Sequence, residues 1–216
     1  MSYKQKIAAR AARTITSGMT INLGIGLPTL IPCYLDAETE VMIHSENGVL
    51  GAGKAATHET AHAMQIDAGG GYITVRKGAS FFDSATSFAI VRGGRLDIAF
   101  LGALEVSEKG DLANWIIPGK FAPGIGGAME LAQKARKLIV VTSHCTKKGQ
   151  PKIIPECTLP LTAKRCVDLI ITELAVFELR EDELILREIA MESSLDEVKE
   201  KTTARFKVPV GELPVF

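Results

Sequence analysis

The sequence predicts an α/β protein in which helices cover both faces of a central sheet. Short apolar segments alternate along the chain with segments of helical period. The apolar segments at residues 96–104, 137–142 and 167–172 are typical of parallel strands that are buried on both faces. The 216 residues fit one large domain or two small ones. A single domain over residues 1–216 is the simpler interpretation, because no repeat, low-complexity tract or long linker divides the chain.

The first helix is predicted by its capping residues and by an apolar stripe. Ser2 and Gln5 have the spacing of a capping box, and Gly18 is expected to end the helix. The stripe that faces the core consists of Ile7, Ala8, Ala11, Ala12 and Ile15. A strand is expected at residues 20–23, directly before a glycine-rich turn.

The middle of the chain contains a short helix, two strands and an irregular segment. Pro28 fits the first turn of a short helix, which Pro32 limits. Strands are expected at residues 41–44 and 72–75. Residues 51–71, rich in Gly, Ala, Thr and His, are expected to form an excursion outside the core.

The second half is predicted to alternate helices and strands. Asp83 can cap a helix over residues 84–92, and a glycine pair at residues 93–94 closes it. Further elements are a strand at residues 112–117, a helix over 124–136, a hairpin of 174–179 with 184–189, and a last helix capped by Ser194 with Glu197.

Composition and charge exclude several classes of function. The 25 basic and 25 acidic residues balance to a net charge of zero, which is unlike a nucleic-acid-binding protein. No apolar stretch approaches the roughly 20 residues that span a bilayer, and the N-terminus lacks the apolar region of a secretory signal. The four cysteines show no CxxC spacing, so reduced thiols are expected. We therefore expect a cytoplasmic protein that binds neither membrane nor nucleic acid.

Residues 45–48 (Ser-Glu-Asn-Gly) form the strongest candidate site. Glu46 follows the apolar strand at residues 41–44 and precedes the tight turn of Asn47 and Gly48. Open α/β folds place their chemistry at the carboxyl ends of buried strands. The alternative is a glutamate that only accepts hydrogen bonds from the turn. Next to it, His44 could tune the carboxylate or serve as a hydrogen-bonded core histidine.

Several neighbouring motifs suggest other functions, and each is incomplete. Residues 48–55 approach a phosphate-binding loop, but Ala55 lacks the hydroxyl that would hold Mg²⁺. His58, Glu59 and His62 form a literal H-E-x-x-H, which would bind zinc on a helix if a third ligand existed. A zinc hydrolase is therefore kept as an alternative, beside a polar surface segment.

The remaining motifs are less specific. The glycine-rich turn at residues 124–127 lacks the full dinucleotide fingerprint, but it could face an anion or act as a simple helix N-cap. His144 and Cys145 are adjacent in sequence, which is not the geometry of a nucleophile and its base. Trp115 fits a core or an interface.

Residues 43–51 (Ile-His-Ser-Glu-Asn-Gly-Val-Leu-Gly) also resemble the active-site motif of the family I coenzyme A transferases of the 3-oxoacid type. The resemblance covers nearly the whole chain, with further matching segments at residues 22–29, 78–83, 88–94, 110–120, 126–129, 157–162 and 172–177. The chain is similar to the β (or B) subunit of the two-chain enzymes, because the glycine-rich coenzyme A signature of the α chain is absent from it.

The resemblance implies a fold, a mechanism and a set of site residues. The fold is the open α/β sandwich of the NagB/RpiA/CoA transferase-like kind. Glu46 would be the nucleophile of a ping-pong reaction through a glutamyl-CoA thioester. Gly127 would supply an oxyanion-binding N–H, Asn22 would position substrate, and Gly26 and Asn47 are weaker candidates for substrate binding.

The resemblance also implies partners and substrates. Coenzyme A would be a substrate, and neither a metal nor a redox cofactor is expected. A separate α subunit is expected, in an α2β2 assembly, and the alternative to a catalytic role is a non-catalytic scaffold subunit. The substrates would be acyl-CoA and short-chain carboxylates. Gly70 stands where succinyl-type members often carry lysine, so acetate- or butyrate-type exchange with acetoacetate is favoured over a dicarboxylate donor.

Overall fold

The computed structural model describes residues 1–120 and 124–216. Its helices are α1 (Tyr3–Ala12), α2 (Ser84–Arg92), α3 (Ala128–Lys134) and α4 (Leu195–Lys201), with a 3₁₀ helix at Leu27–Tyr34. None of these described helices has the length and apolar character needed to cross a membrane. The strands are β1 (Thr20–Leu23), β2 (Met42–Ser45), β3 (Val49–Ala55), β4 (Ile73–Phe81), β5 (Ile98–Leu101), β6 (Glu105–Ser107), β7 (Leu112–Ala113), β8 (Leu138–Val141), β9 (Ile153–Ile154), β10 (Leu169–Ile171), β11 (Ala175–Arg180) and β12 (Glu183–Ile189).

One large mixed sheet organises the chain, with the strand order β12-β11-β10-β8-β5-β1-β2-β3-β4. Strands β10, β8, β5, β1 and β2 run parallel to one another. The remaining strands extend the sheet through antiparallel pairings. The parallel strands therefore end at one edge of the sheet, and Asn22 and His44 are paired there in the register of β1 with β2. This is the edge at which open α/β sheets bind ligands.

Hydrophobic clusters cover both faces of the sheet, and β5 shows how a strand divides between them. Ile98 and Phe100 belong to the cluster that α1 covers, whereas Ala99 and Leu101 belong to the cluster that α2, α3 and α4 cover. The small sheet β7-β6-β9 packs within the second cluster. The α/β class predicted from the apolar strands is thereby confirmed.

The region after β2 differs from its prediction. The sequence predicts an excursion over residues 51–71, but β3 continues to Ala55 and pairs antiparallel with both β2 and β4. Strand β4 is also longer than the predicted residues 72–75, since it runs through Ile73–Phe81. The irregular segment is therefore shorter and lies between β3 and β4. Glycines within β3 weaken the strand signal in the sequence.

Helix ends account for most other differences. The capping box of Ser2 with Gln5 is present, but α1 ends at Ala12, well before Gly18. Pro32 lies inside the 3₁₀ helix instead of ending it. Helix α3 is shorter than the predicted residues 124–136, because the glycine-rich turn before it is not helical. Helix α2 and the Ser194 cap of α4 are as predicted.

Candidate active site

The turn at residues 45–48 places Glu46 directly after the end of β2. The buried hydroxyl of Ser45 accepts a hydrogen bond from the Ala68 N–H at 3.0 Å. Gly48 has a φ of +118°, and a Cβ there would lie 2.0 Å from the carbonyl oxygen of Phe82, so no other residue fits. The Gly48 N–H donates to the Ser45 carbonyl at 3.0 Å. These contacts fix the turn, and the Glu46 side chain is half-buried.

The Glu46 carboxylate contacts two of the other predicted site residues. The Asn22 side-chain amide donates from Nδ2 to Oε2 at 3.3 Å. A Cβ built on Gly127 would lie 3.4 Å from Oε1 and 2.8 Å from the Phe88 ring. Because glycine has no Cβ, the backbone at residue 127 can lie beside the carboxylate. The structure thus brings Glu46, Asn22 and Gly127 together.

Behind Asn22 lies a buried polar network. Asn22 Nδ2 also lies 3.1 Å from His44 Nδ1, and His44 Nε2 lies 3.0 Å from the Ser87 hydroxyl. His44 and Ser87 are fully buried, with exposed fractions of 1% and 0%. Burial lowers the pKa of His44 to about 4, because the charged ring would lose its hydration. The imidazole is therefore neutral at pH 7. Of the sequence alternatives, His44 is a hydrogen-bonded core histidine, which also reaches the Glu46 carboxylate through Asn22.

Glu46 opens onto a cleft of about 550 Å³. The cleft is lined by the ends of β1 and β5, by Trp115 and by the glycine-rich turn at residues 124–127. The Trp115 indole N–H donates to the Leu161 carbonyl at 3.3 Å, which holds its ring in place as part of the wall. Among the described lining residues, Glu46 alone is ionisable and none is a lysine or arginine. The site is therefore a mainly apolar cleft with one carboxylate.

Two predicted site residues lie outside this cleft. Asn47 is exposed, and its side-chain amide donates to the Ile66 carbonyl at 2.7 Å, so it holds the neighbouring loop. Gly26, with a φ of +88°, lines a smaller adjoining cleft of about 200 Å³. Ile25 and Ala68 line both clefts. Gly26 and Asn47 thus lie beside the cleft and are not among the described residues that line it.

The competing motifs lack the geometry that their chemistry needs. Residues 49–55 of the near phosphate-binding loop form strand β3. His58 lies in a turn and His62 in a segment without regular secondary structure, and both are exposed. The helix that would place two imidazoles on one face is therefore missing here. Within residues 1–120 and 124–216, no three His, Cys, Asp or Glu side chains form a group that could hold a metal ion. The zinc alternative is therefore not supported.

His144 and Cys145 also fail as a catalytic pair. The His144 ring bonds to Thr172 and Thr202 at 2.9 Å each, and not to the thiol. Burial raises the pKa of the Cys145 thiol, which disfavours a thiolate nucleophile. Burial also lowers the pKa of His144 to about 4. The cluster is a second buried polar network at the same edge of the sheet.

Sequence reasoning missed Ser87. The segment around it is recognisable only as a helix capped by Asp83, and no local pattern indicates that one of its serines meets His44. The signal that could have found it is the buried face of α2, which Ser87 shares with Val91 one turn later. A polar residue on a buried face needs a partner, and here the partner is His44, two residues before Glu46.

The chain is similar to known proteins over nearly its whole length. The sequence model of the family described as coenzyme A transferase matches residues 4–201. The beta subunit of a probable coenzyme A transferase of Bacillus subtilis is 52% identical over 208 residues, which are 96% of each chain. The beta subunit of the acetate CoA-transferase of Escherichia coli K12 is 47% identical, over 96% of this chain and 95% of that protein. The corresponding chain of the succinyl-CoA:3-ketoacid coenzyme A transferase of Helicobacter pylori is 49% identical, over 95% and 99%.

Solved structures show the same fold at lower identity. An acyl-CoA transferase of Escherichia coli O157:H7 superposes with a TM-score of 0.78 at 22% identity. The match covers 100% of this chain and 43% of that longer chain. A variant of the decarboxylase AibA/AibB gives a TM-score of 0.77 at 22% identity, over 99% of this chain and 88% of that one. Because a decarboxylase shares the fold, the fold alone does not identify the reaction.

Proposed function

This chain belongs to the coenzyme A transferase family, and we propose that it is the nucleophile-bearing subunit of a 3-oxoacid CoA-transferase. The observation that carries the proposal is the position of the Glu46 carboxylate. It stands at an apolar cleft, in contact with the Asn22 amide and beside the backbone of Gly127. A lone carboxylate among apolar groups suits nucleophilic attack on a thioester.

The reaction proceeds in two half-reactions. A Glu46 oxygen attacks the thioester carbonyl of an acyl-CoA, and the tetrahedral oxyanion collapses with loss of the CoA thiolate to give an acyl-glutamyl anhydride. The thiolate then attacks the glutamyl carbonyl, which releases the free carboxylate and leaves CoA on Glu46 as a thioester. A second carboxylate runs the same steps in reverse. Covalent catalysis of this kind divides one difficult exchange into easier steps.

The composition of the cleft is compatible with this scheme. Carboxylate and thiolate alternate as nucleophile and leaving group, so no step requires a proton donor or acceptor. Glu46 is accordingly sufficient as the only ionisable side chain among the described lining residues. The oxyanions need hydrogen-bond donors, and Asn22 Nδ2 and the Gly127 N–H are our candidates. Removal of one such donor commonly lowers kcat by about 10²–10³.

A separate α subunit completes the site in our proposal. The relatives from Escherichia coli and Helicobacter pylori are each named as one subunit of their enzyme. Ile25, at the rim of the cleft, is 72% exposed, and a second chain placed over it would bury apolar surface. Such closure would also protect the anhydride and thioester from water. We propose an α2β2 assembly.

We propose a monocarboxylate such as acetate or butyrate as the acyl group exchanged with acetoacetate. No cation lines the described part of the cleft to pair with a second carboxylate of a succinyl group. Gly70 is exposed, with no atom within 4 Å of a Cβ built there, so this position in the adjoining loop supplies no charge either. The named relatives do not decide the point, because acetate and succinyl-CoA enzymes are 47% and 49% identical to this chain.

The test is a CoA exchange assay on the protein co-purified with its α subunit. Incubation with acetyl-CoA should add the mass of CoA to Glu46, less one water, and acetoacetate should discharge it. Borohydride should trap the thioester in the wild-type protein but not in Glu46→Ala. A panel of acetate, butyrate and succinate then tests the substrate class.

Two outcomes would contradict the proposal. Exchange at the wild-type rate in a folded Glu46→Ala complex would exclude Glu46 as the nucleophile and leave this chain as a scaffold. Succinyl-CoA used in preference to acetyl-CoA and butyryl-CoA would overturn the proposed substrate class while leaving the nucleophile intact.

A further inference from the structure

We infer that His44 and Ser87 are positioning residues, which hold the Asn22 amide in the orientation that donates to Glu46. The inference rests on the proposed function, because it assigns both residues a part in the reaction of the Glu46 carboxylate. Neither residue is among the described residues that line the cleft, and their side-chain hydrogen bonds lead to Glu46 through Asn22.

The orientation of the Asn22 amide is set by the acceptors around it. Its nitrogen lies 3.1 Å from His44 Nδ1, 3.2 Å from the His44 carbonyl oxygen and 3.3 Å from Glu46 Oε2. A flipped amide would place its oxygen against the carbonyl and the carboxylate, which are both acceptors. Asn22 Oδ1 is buried and has no hydrogen-bond partner among the described residues. The two N–H groups of the amide therefore face three acceptors, so one of them is shared, while the amide oxygen is left unsatisfied.

This arrangement requires one particular tautomer of His44. The Asn22 nitrogen is a donor only, so His44 Nδ1 must accept and the ring proton must reside on Nε2. Nε2 lies 3.0 Å from the hydroxyl of Ser87, which can accept that proton. Ser87 is fully buried on α2, so bulk solvent cannot replace its hydroxyl. A hydrogen bond to one ring nitrogen sets which nitrogen of a histidine carries the proton.

Loss of this tautomer would turn the amide away from the nucleophile. A proton on Nδ1 would point at the Asn22 N–H groups and favour the flipped amide, whose oxygen could accept it. The flip would replace the donor to Glu46 by an acceptor facing a carboxylate. Ser87 thus sets the tautomer of His44, and His44 in turn sets the orientation of the Asn22 amide. The amide then donates to the Glu46 carboxylate.

The test uses two replacements of His44 in the complex with the α subunit. Asparagine places an acceptor near the position of Nδ1, whereas glutamine places a donor near that of Nε2 and leaves Asn22 without its ring acceptor. We expect His44→Gln to lower kcat about tenfold to hundredfold, as for loss of a hydrogen bond to a charged group. His44→Asn should retain kcat within about threefold of wild type. KM should change little in both variants.

Ser87→Ala is the second variant, and it removes one oxygen without adding volume. It should lower kcat and the rate of Glu46–CoA thioester formation, measured by rapid quench and mass spectrometry, in parallel with His44→Gln. His144→Gln is the matched control, because this histidine is equally buried and its ring bonds lead only to Thr172 and Thr202. We expect it to lower the melting temperature while kcat stays at the wild-type value.

The outcomes separate the inference from the proposed function. Absence of CoA exchange in the wild-type complex would reject the proposed function and the inference with it. An active wild type together with full kcat in folded Ser87→Ala or His44→Gln would reject the positioning role alone. An equal loss of kcat in His144→Gln would also reject the positioning role. A change in KM with no change in kcat in Ser87→Ala or His44→Gln would reject it too, since either result would indicate a structural effect.

Discussion

Two buried histidine networks lie at the same edge of the sheet and differ in what they reach. The Glu46 network is made up of Glu46, Asn22, His44 and Ser87. The His144 network is made up of His144, Thr172, Thr202 and Glu173. In both, each ring nitrogen has a partner at 2.9 to 3.1 Å, and burial lowers the histidine pKa to about 4.

The difference lies in the residue beyond the ring. Asn22 continues from His44 to a carboxylate that opens onto a cleft. Thr172 continues from His144 to the backbone of its own turn, where it donates to the Ala175 carbonyl at 3.1 Å. A perturbed histidine pKa therefore does not locate catalysis by itself, because structural networks also perturb pKa values. What distinguishes the sites is a continuous path from the ring to a reactive group at a cavity.

The largest expected difference between the networks comes from their carboxylates. Glu46→Gln keeps the shape of the side chain but removes the proposed nucleophile, so kcat for CoA exchange should fall at least about 10⁴-fold. Glu173→Gln changes the acceptor of the His144 N–H, which lies 3.0 Å away, and should leave kcat unchanged. Steady-state exchange assays and circular dichroism on both variants check this. A comparable loss of kcat in Glu173→Gln would contradict the expected difference between the two carboxylates.

The next largest effect should come from the residues that contact Nδ1 of each histidine. Asn22→Ala removes a donor to Glu46, and kcat should fall by about 10²–10³. Thr172→Val leaves His144 Nδ1 and the Ala175 N–H without their partner, so the free energy of unfolding should fall by about 1–3 kcal/mol while kcat is retained. Assay of kcat together with urea unfolding separates the two. A normal kcat in Asn22→Ala would remove Asn22 from the mechanism.

The Glu46 network also shows how far sequence reasoning reaches. Glu46 has a local signature, since a carboxylate follows a buried strand and precedes an Asn-Gly turn. Asn22 and Gly127 are identified by resemblance, because their contact with Glu46 depends on how β1 and α3 pack beside β2. Ser87 has neither a local pattern nor a recognised role. Its importance depends on the long-range contact with His44, which sequence periodicity does not encode.

The fold was predictable where strands were continuous and apolar. Strands β5, β8 and β10 are buried on both faces, and their sequences lack polar interruptions. Strand β3 was missed because glycine at positions 51 and 53 lowers strand propensity. The structure explains these glycines, since a Cβ at Gly51 would lie 3.1 Å from Ala79 and one at Gly53 would lie 2.5 Å from the Thr74 hydroxyl. They permit close approach of β4 and do not mark a loop.

A smaller effect should distinguish the glycines near the two networks. In Gly127→Ala the new Cβ would lie 2.8 Å from the Phe88 ring, so the clash should displace the backbone beside the Glu46 carboxylate and lower kcat about tenfold to hundredfold. Gly149→Ala, after the His144 turn, meets no atom within 4 Å and only strains a φ of +79°. It should lower the melting temperature without lowering kcat. Wild-type kcat in Gly127→Ala would show that this backbone approach is not required.

The last test concerns the property that the two networks share, a histidine kept neutral by burial. The folded pKa of about 4 for each ring lies below the unfolded value of roughly 6.5, so the unfolded chain binds more protons between these values. The stability from each neutral ring is thus fully present above pH 6.5 and is lost as the pH falls toward 4.

Each histidine should contribute a slope of up to about 1.4 kcal/mol per pH unit to the free energy of unfolding in that window. Urea unfolding of the purified protein at one fixed concentration, between pH 7 and pH 5, measures the slope. His44→Gln and His144→Gln should each lower the number of protons taken up on unfolding by close to one, and the slope should fall in proportion. The carboxylates titrate in the variants as in the wild type, so their contribution to the slope cancels in the comparison. A variant with the wild-type slope would mean that its histidine binds protons in the folded protein as readily as in the unfolded chain. For His44 this would place a proton on Nδ1 in that pH window, so the same measurement tests whether the acceptor that faces Asn22 persists in the folded protein.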